Sequence, residues 1–551
     1  MKLKKRFGIV FTSVATSVLL AACGGSSGGT ESTTAASDTD SQNISVQTEN
    51  TSGSGKTITI ASAEDIHVMN PHLTSPAIYA QNYIFEGLVK FADGDVQPAL
   101  AESWDISDDG LTYTFHLRKG VKFSDGSEFN AQNAVKNFDA ILYEGNTWGW
   151  LGVAGFMDSY RAVDNDTFEI KLTEPYWPAL MDLCAVRPFR MLGDAGFNAD
   201  GSTKDGIKEV VGTGPWVLKE YVENEYAVFE VNENYWGEKP KIDSFTLKII
   251  PDSDTAISAL ESGEVDMIYD MYESQLMSVD KFNGLAAKDY NSFISDPVLT
   301  RILTLNTDVE PLNDINVRKA MAHAIDKSTI VQSVFGGLEE EAPSYYWSGT
   351  PYCDVGLKGY TYNVSEAESL LDASGWVKKE GKEFREKDGK ELGITFYYDA
   401  SNVVQTSLAQ ILQSELKDIG FNMQIVGEES GANIDRQSTG DFDICYSVSW
   451  GDPYDPFSTL ASHTGEGIAE YYAMKTLANF DDYCKKAIGV THTVDEKERQ
   501  DLYKELLQDI EDHYGIFPIS YQTNRAITNK NIDGVTFEMS NVMPLDQITV
   551  K

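Results

Sequence analysis

Leu111-Thr112-Tyr113-Thr114-Phe115-His116-Leu117 alternates apolar and polar positions, and Arg118-Lys119-Gly120-Val121-Lys122-Phe123-Ser124-Asp125-Gly126 carries it into a turn. Successive side chains of a strand point to opposite faces, so this alternation predicts a half-buried strand. From about Ala131 the apolar period changes, with Ala134, Val135, Phe138, Ile141 and Leu142 on one face of a helix. Working outward, Thr57-Ile58-Thr59-Ile60 is the first alternating strand. Near the other end, Leu502, Leu506, Leu507 and Ile510 predict an amphipathic helix stopped by Gly515 and Pro518. Strands and helices in mixed order predict an α/β or α+β fold. The length, 551 residues, exceeds what one hydrophobic core organises, so two lobes are expected.

The formal charge is −41, a field that repels nucleic acid and anionic membrane. With 42% hydrophobic and 11% aromatic residues, the chain fills sizeable cores and leaves aromatics for a binding surface. Cys184, Cys353, Cys445 and Cys484 are widely spaced and form no C-x-x-C pair, which excludes a disulfide scaffold or a zinc module; small buried thiols are expected.

Lys2, Lys4, Lys5 and Arg6 precede an apolar run from Phe7 to Leu20, followed by Leu20-Ala21-Ala22-Cys23. A charged start, a run too short to span a bilayer and a small-residue exit read as a secretory signal. The last four residues resemble a bacterial lipobox, which implies cleavage before Cys23 and acylation of its thiol. Residues 24–55 are Gly, Ser, Thr, Asp and Asn with almost nothing apolar, so a flexible tether is expected. Within it, Gly25-Ser26-Ser27-Gly28-Gly29 satisfies a nucleophile-elbow pattern without flanking strand or helix. Gly55-Lys56-Thr57 mimics a phosphate loop whose first glycine is replaced by Asn50. Neither carries chemistry.

The stretch 117–126, together with Gly212-Thr213-Gly214-Pro215-Trp216 and Asn232-Glu233-Asn234-Tyr235-Trp236-Gly237, resembles family 5 solute-binding proteins of ABC importers. The resemblance runs from Thr57 to the end. It implies an α/β, two-lobed periplasmic-binding-protein fold with the ligand in a hinged cleft, working as a monomer with ABC importer permease subunits. The expected organisation is a signal peptide at 1–22, a lipid-anchored linker at 23–55, lobe I at 56–250, lobe II at 251–517, and a return to lobe I at 518–551. Within the family, Asn70-Pro71-His72-Leu73, Arg187-Pro188-Phe189-Arg190, Arg385-Glu386-Lys387-Asp388-Gly389 and Trp450-Gly451-Asp452-Pro453-Tyr454-Asp455-Pro456 resemble nickel-binding, NikA-like members. Those bind metal with a carboxylate-bearing chelator.

The resemblance places Arg187 on the chelator's carboxylate and Trp150, Trp450 and Tyr454 around it; Tyr79 joins this expected set. A guanidinium grips a carboxylate with a rigid fork of donors, and indole or phenol rings give flat walls. Three departures stand out. No arginine occurs in Glu144-Gly145-Asn146-Thr147-Trp148-Gly149-Trp150, where a second chelator-gripping arginine is expected. His463 is a candidate metal ligand, but lies earlier than relatives place theirs. Asp452 stands where nickel-binding relatives have a small residue, and a carboxylate there suits an amine or caps a turn. His72 reads as ordering a turn, and His67 has no pattern placing it with His72. Two cargoes remain open, a nickel or related metal chelate and a short peptide. An extracellular hydrolase is the alternative of another class. No resident cofactor is required, and no nucleic-acid partner is expected.

Overall fold

The computed structural model describes residues 56–67, 69–73, 78–143, 148, 151–271, 276–538 and 542–551. Cys23, Trp150 and the tether lie outside these residues. The expected strand forms at Thr112–Leu117, with Tyr113, Phe115 and Leu117 buried on one face. It is an inner strand of a four-stranded antiparallel sheet with Ala101–Ile106, Thr167–Leu172 and Met157–Ala162. The helix that follows is Ala131–Ile141, started by a reciprocal cap. Asn130 Oδ1 accepts from the Gln132 and Asn133 amides at 2.9 and 3.2 Å, while Asn133 Oδ1 accepts from Asn130 N at 2.9 Å. Ala134, Phe138 and Ile141 are buried as the period requires, and Asn137 is buried among them.

The main sheet has eleven strands. Across it the order is Asn422–Glu428, Gly393–Asp399, Ile444–Val448, Tyr290–Leu305, Ile516–Asn529, Met267–Asp270, Thr57–Ser62, Ser244–Ile249, Tyr226–Val231 and Trp216–Val222, with Glu340–Glu341 pairing Ile516–Asn529 off this path. Two long antiparallel strands, Tyr290–Leu305 and Ile516–Asn529, form its centre. Tyr290–Ile294 pair with Arg525–Asn529 on the side of Met267–Asp270, and Ile302–Thr304 pair with Ile516–Pro518 on the side of Ile444–Val448. Register shifts interrupt the ladder between Ile294 and Pro297, between Pro297 and Leu299, and between Arg301 and Ile302.

This pairing sets the segment after residue 250 beside the first strand. Ser253–Ser262, Met267–Asp270 and Val279–Ala286 share a core with Ala61, Ile250 and Ile527, because Met267–Asp270 hydrogen-bonds next to Thr57–Ser62. A separate core joins Leu303, Leu305, Phe396, Leu412, Ile444 and Phe517. The chain passes from the first of these cores to the second within Tyr290–Leu305.

Near the C-terminus the helix is Glu496–His513, with Tyr503, Leu506, Leu507 and Ile510 buried. Tyr514, at φ 54°, ends it; Pro518 lies inside the next strand and plays no part in the stop. Cys184, Cys353 and Cys445 are buried free thiols, and Cys484 is free and half-buried.

Candidate functional site

Two short segments build the site. In the first, Ala179–Cys184 is a helix, and the chain beyond it is folded back by Arg190. This arginine is 2% exposed; its Nε donates to Val186 O at 3.1 Å and its Nη2 to Cys184 O at 2.9 Å. Burial lowers its pKa, and Glu86, Tyr454 and Glu538 are among the groups that support its charge. Arg187 stays half-buried, with its guanidinium carbon 6.0 Å from the centre of the Trp148 ring.

The second segment is the Trp450–Pro456 turn. The buried Asp455 carboxylate accepts from Trp450 N at 3.2 Å, from Gly451 N at 2.8 Å and from the Thr459 hydroxyl. Tyr454 N donates to Gly451 O at 2.9 Å, and Gly451 takes φ +74°, a backbone conformation costly for other residues. The turn leaves Trp450, Asp452 and Tyr454 half-buried, while Gly451, Pro453 and Asp455 face inward. The Trp450 and Tyr454 rings meet edge-on, 6.4 Å between centroids. Burial raises the Tyr454 phenol's pKa, and the Arg187 guanidinium opposes that shift. Arg187 thus lies over the buried Trp148 ring and is near enough to act on the Tyr454 phenol, which in turn meets Trp450.

Asp452 shares the half-buried side of the turn. Burial and then the Asp455 charge push its carboxyl up to about 7, and among the described residues it makes no hydrogen bond or ion pair. Behind Arg190, a cavity of ≈ 120 Å³ lies between Glu86, Lys90, Tyr235 and Glu538. Burial pushes both glutamates up to about 7, and Trp236 Nε1 donates to Glu86 at 2.8 Å.

Other expected residues lie elsewhere. His463 is a correction: it is fully buried, with Nδ1 2.9 Å from the Tyr483 hydroxyl and Nε2 3.3 Å from that of Tyr345. Both ring nitrogens face tyrosine hydroxyls, so in this conformation its lone pair is already engaged. Tyr79 also departs from expectation: its hydroxyl bonds Ser62 and its ring packs edge-on against Tyr83, 6.2 Å away, beside the first strand. His72 ties three segments together. Its Nε2 faces two acceptors, Asn137 Oδ1 at 3.0 Å and Arg190 O at 3.1 Å, so it carries the proton, and Nδ1 accepts from Thr203 Oγ1 at 2.9 Å. Trp148 is the wall that sequence reasoning passed over; its signal was its place in the same aromatic segment as Trp150. Among the described residues, no group of three or more His, Cys, Asp or Glu side chains is placed to hold a metal.

A sequence profile described as bacterial extracellular solute-binding proteins, family 5, matches residues 95–470. The chain belongs to this family. It is 35% identical over 495 residues to the nickel-binding periplasmic protein of Escherichia coli K12, covering 89% of this chain and 94% of that protein. The dipeptide-binding protein of the same organism is 27% identical over 514 residues, covering 87% and 92%. NikA from Brucella suis, crystallised with Fe(III)-EDTA, superposes with a TM-score of 0.87 at 36% identity, covering 90% of this chain and all of that one. The mixed α/β architecture is that of family 5 solute-binding proteins. Among the described residues no helix is long and apolar enough to cross a membrane.

Proposed function

We propose that this chain is the extracytoplasmic receptor of an ABC importer, anchored by lipid at Cys23, that captures nickel or a related metal wrapped in a carboxylate-bearing chelator. The observation carrying this reading is the half-buried Arg187 guanidinium among Trp148, Tyr454 and Trp450. A planar fork of N–H donors suits a carboxylate, and the rings suit the organic faces of a chelate. The names of two relatives agree with it: one binds nickel, and the other was crystallised with an iron complex of a polycarboxylate. The protein grips the chelator, and the chelator holds the metal.

Two lobes meet across the paired strands Tyr290–Leu305 and Ile516–Asn529, and ligand contact with both favours closure. The receptor binds and releases its cargo unchanged, works as a monomer and hands the ligand to permease subunits. The anchor keeps it beside that membrane. Membrane-fraction mass spectrometry finding an unmodified Cys23 on the purified chain would remove the anchor from this account.

Asp452 favours a second reading, a dipeptide or oligopeptide receptor, since an unpaired carboxylate on the same turn suits an ammonium group. Titration followed by tryptophan fluorescence separates the two. A nickel–histidine complex is expected to bind tightly, while free nickel and di- to tetrapeptides bind weakly or not at all. Tight peptide binding that strengthens as pH rises through about 7, where Asp452 ionises, overturns the chelate reading.

A further inference from the structure

Two short arms of chain meet at one buried carboxylate. Asp182, 2% exposed, sits in the Ala179–Cys184 helix, five residues before Arg187. Its Oδ2 accepts from the Val153 amide at 2.9 Å. Val153 belongs to the short helix Gly152–Phe156, five residues after Trp148. The cap position of that helix is Leu151, whose side chain offers no acceptor, so the first amides have no partner within the helix. Asp182 supplies from another segment what the cap lacks. Burial pushes its carboxyl up to about 7, and the Val153 amide, the Tyr176 hydroxyl and the Gly152 amide oppose that shift.

Both arms are held along their length. On one, Leu151 N donates to Trp148 O at 3.0 Å and Ala154 N to Leu151 O at 3.1 Å. On the other, Ala185 N donates to Asp182 O at 3.3 Å, and Arg190 donates to the carbonyls of Cys184 and Val186. Tyr176, 4% exposed, closes the space between them: a Cβ added at Gly152 would fall 2.3 Å from its ring. The far ends of the arms carry the Trp148 ring and the Arg187 guanidinium, 6.0 Å apart.

We infer that Asp182 is a positioning residue of the ligand site: by capping the 152–156 helix from a neighbouring segment, it sets the Trp148 ring beneath the Arg187 guanidinium. A buried carboxylate is costly unless it is hydrogen-bonded, and deleting it strands the amides it served. Without the cap, Trp148 drifts from Arg187, which stays with its own helix, and the cation loses the ring that orients it.

This deepens the chelate reading of the site and rests on it, so the experiment reads the two separately. Amide hydrogen exchange at 151–154 is measured on the full chain without ligand, beside a nickel–histidine titration at a temperature where every variant compared is folded. Asp182→Ala is expected to speed that exchange at least about tenfold and to weaken binding about tenfold. Asp182→Asn keeps one oxygen for the Val153 amide and should hold affinity within about threefold of wild type. Gly152→Ala pushes the helix off Tyr176 without altering any charge, and should repeat the Asp182→Ala result. Unchanged exchange at 151–154, or a lower melting temperature with unchanged affinity, overturns the positioning role. Should Asp182→Ala fail to fold, Gly152→Ala decides by the same two readouts. Wild type that ignores nickel–histidine rejects the chelate alone, and the exchange result then decides the cap.

Discussion

Arg187 and Arg190 stand three residues apart, and so do Asp452 and Asp455, yet each pair divides into a surface member and a buried one. Arg190 gives two nitrogens to carbonyls of its own segment, and Asp455 accepts from two amides and a hydroxyl of its own turn. Arg187 and Asp452 stay half-buried on the side shared with Trp148, Trp450 and Tyr454. The inner pair shapes the two segments, and the proposed function assigns the ligand to the outer pair. Residue type is the same in both layers; what differs is burial, complete for Arg190 and Asp455 and partial for Arg187 and Asp452.

The sharpest way to break this contrast is to remove an inner member. Arg190→Ala should destabilise the fold by about 3–5 kcal/mol, through a buried cavity and two carbonyls left without a donor. Urea unfolding midpoints measure this, and a loss of affinity without a loss of stability would move Arg190 into the outer layer. Asp455→Ala should cost about 2–4 kcal/mol, since it strands the Trp450 and Gly451 amides, and should change the fluorescence of the unliganded protein. Arg187→Ala should leave the unfolding midpoint in place and weaken nickel–histidine binding by about 1.5–3 kcal/mol, the scale of charged hydrogen bonds. Unchanged affinity in that titration would end the assignment.

A fourth expected effect lies in pH. The Asp452 carboxyl holds its proton up to about 7 in the folded chain and loses it near the ordinary value of 3.8 in the unfolded one. Between those values the folded state binds more protons, so this group's contribution to stability falls as pH rises, then levels off above about 7. Asp452→Asn should therefore lose less stability than wild type between pH 4.5 and 7.5, and parallel curves for the two proteins would show that the group is solvated.

Local patterning was legible where one face is buried and the other is not. Thr112–Leu117 alternates because Tyr113, Phe115 and Leu117 pack inward, and the 131–141 helix announces itself by the same logic. The family landmarks carried the architecture. The switch between the two sides of the sheet at Tyr290–Leu305 was not legible, because a strand that crosses from one core to another has no local marker of the change. Arg187, Trp450 and Tyr454 were named from sequence, and the structure brings them together with Trp148. His463 and Tyr79 misled because type and spacing do not reveal burial: two tyrosine hydroxyls occupy the histidine, and Ser62 holds the tyrosine. Trp150 lies outside the described residues.

The place of Ile516–Asn529 in the sheet has a consequence for how the chain is made. This strand is the sheet's middle, bonded to Tyr290–Leu305 on one flank and Met267–Asp270 on the other. It is also synthesised after every other strand of the path. Until residue 516 emerges, the two flanks have open edges facing a gap, and the contacts that fill it span more than two hundred residues of sequence. Such long-range pairing slows folding and leaves strand edges exposed while it waits. Commitment to the native sheet is therefore deferred to the last part of translation, and a chain cut short at 515 should remain an open-edged, aggregation-prone intermediate.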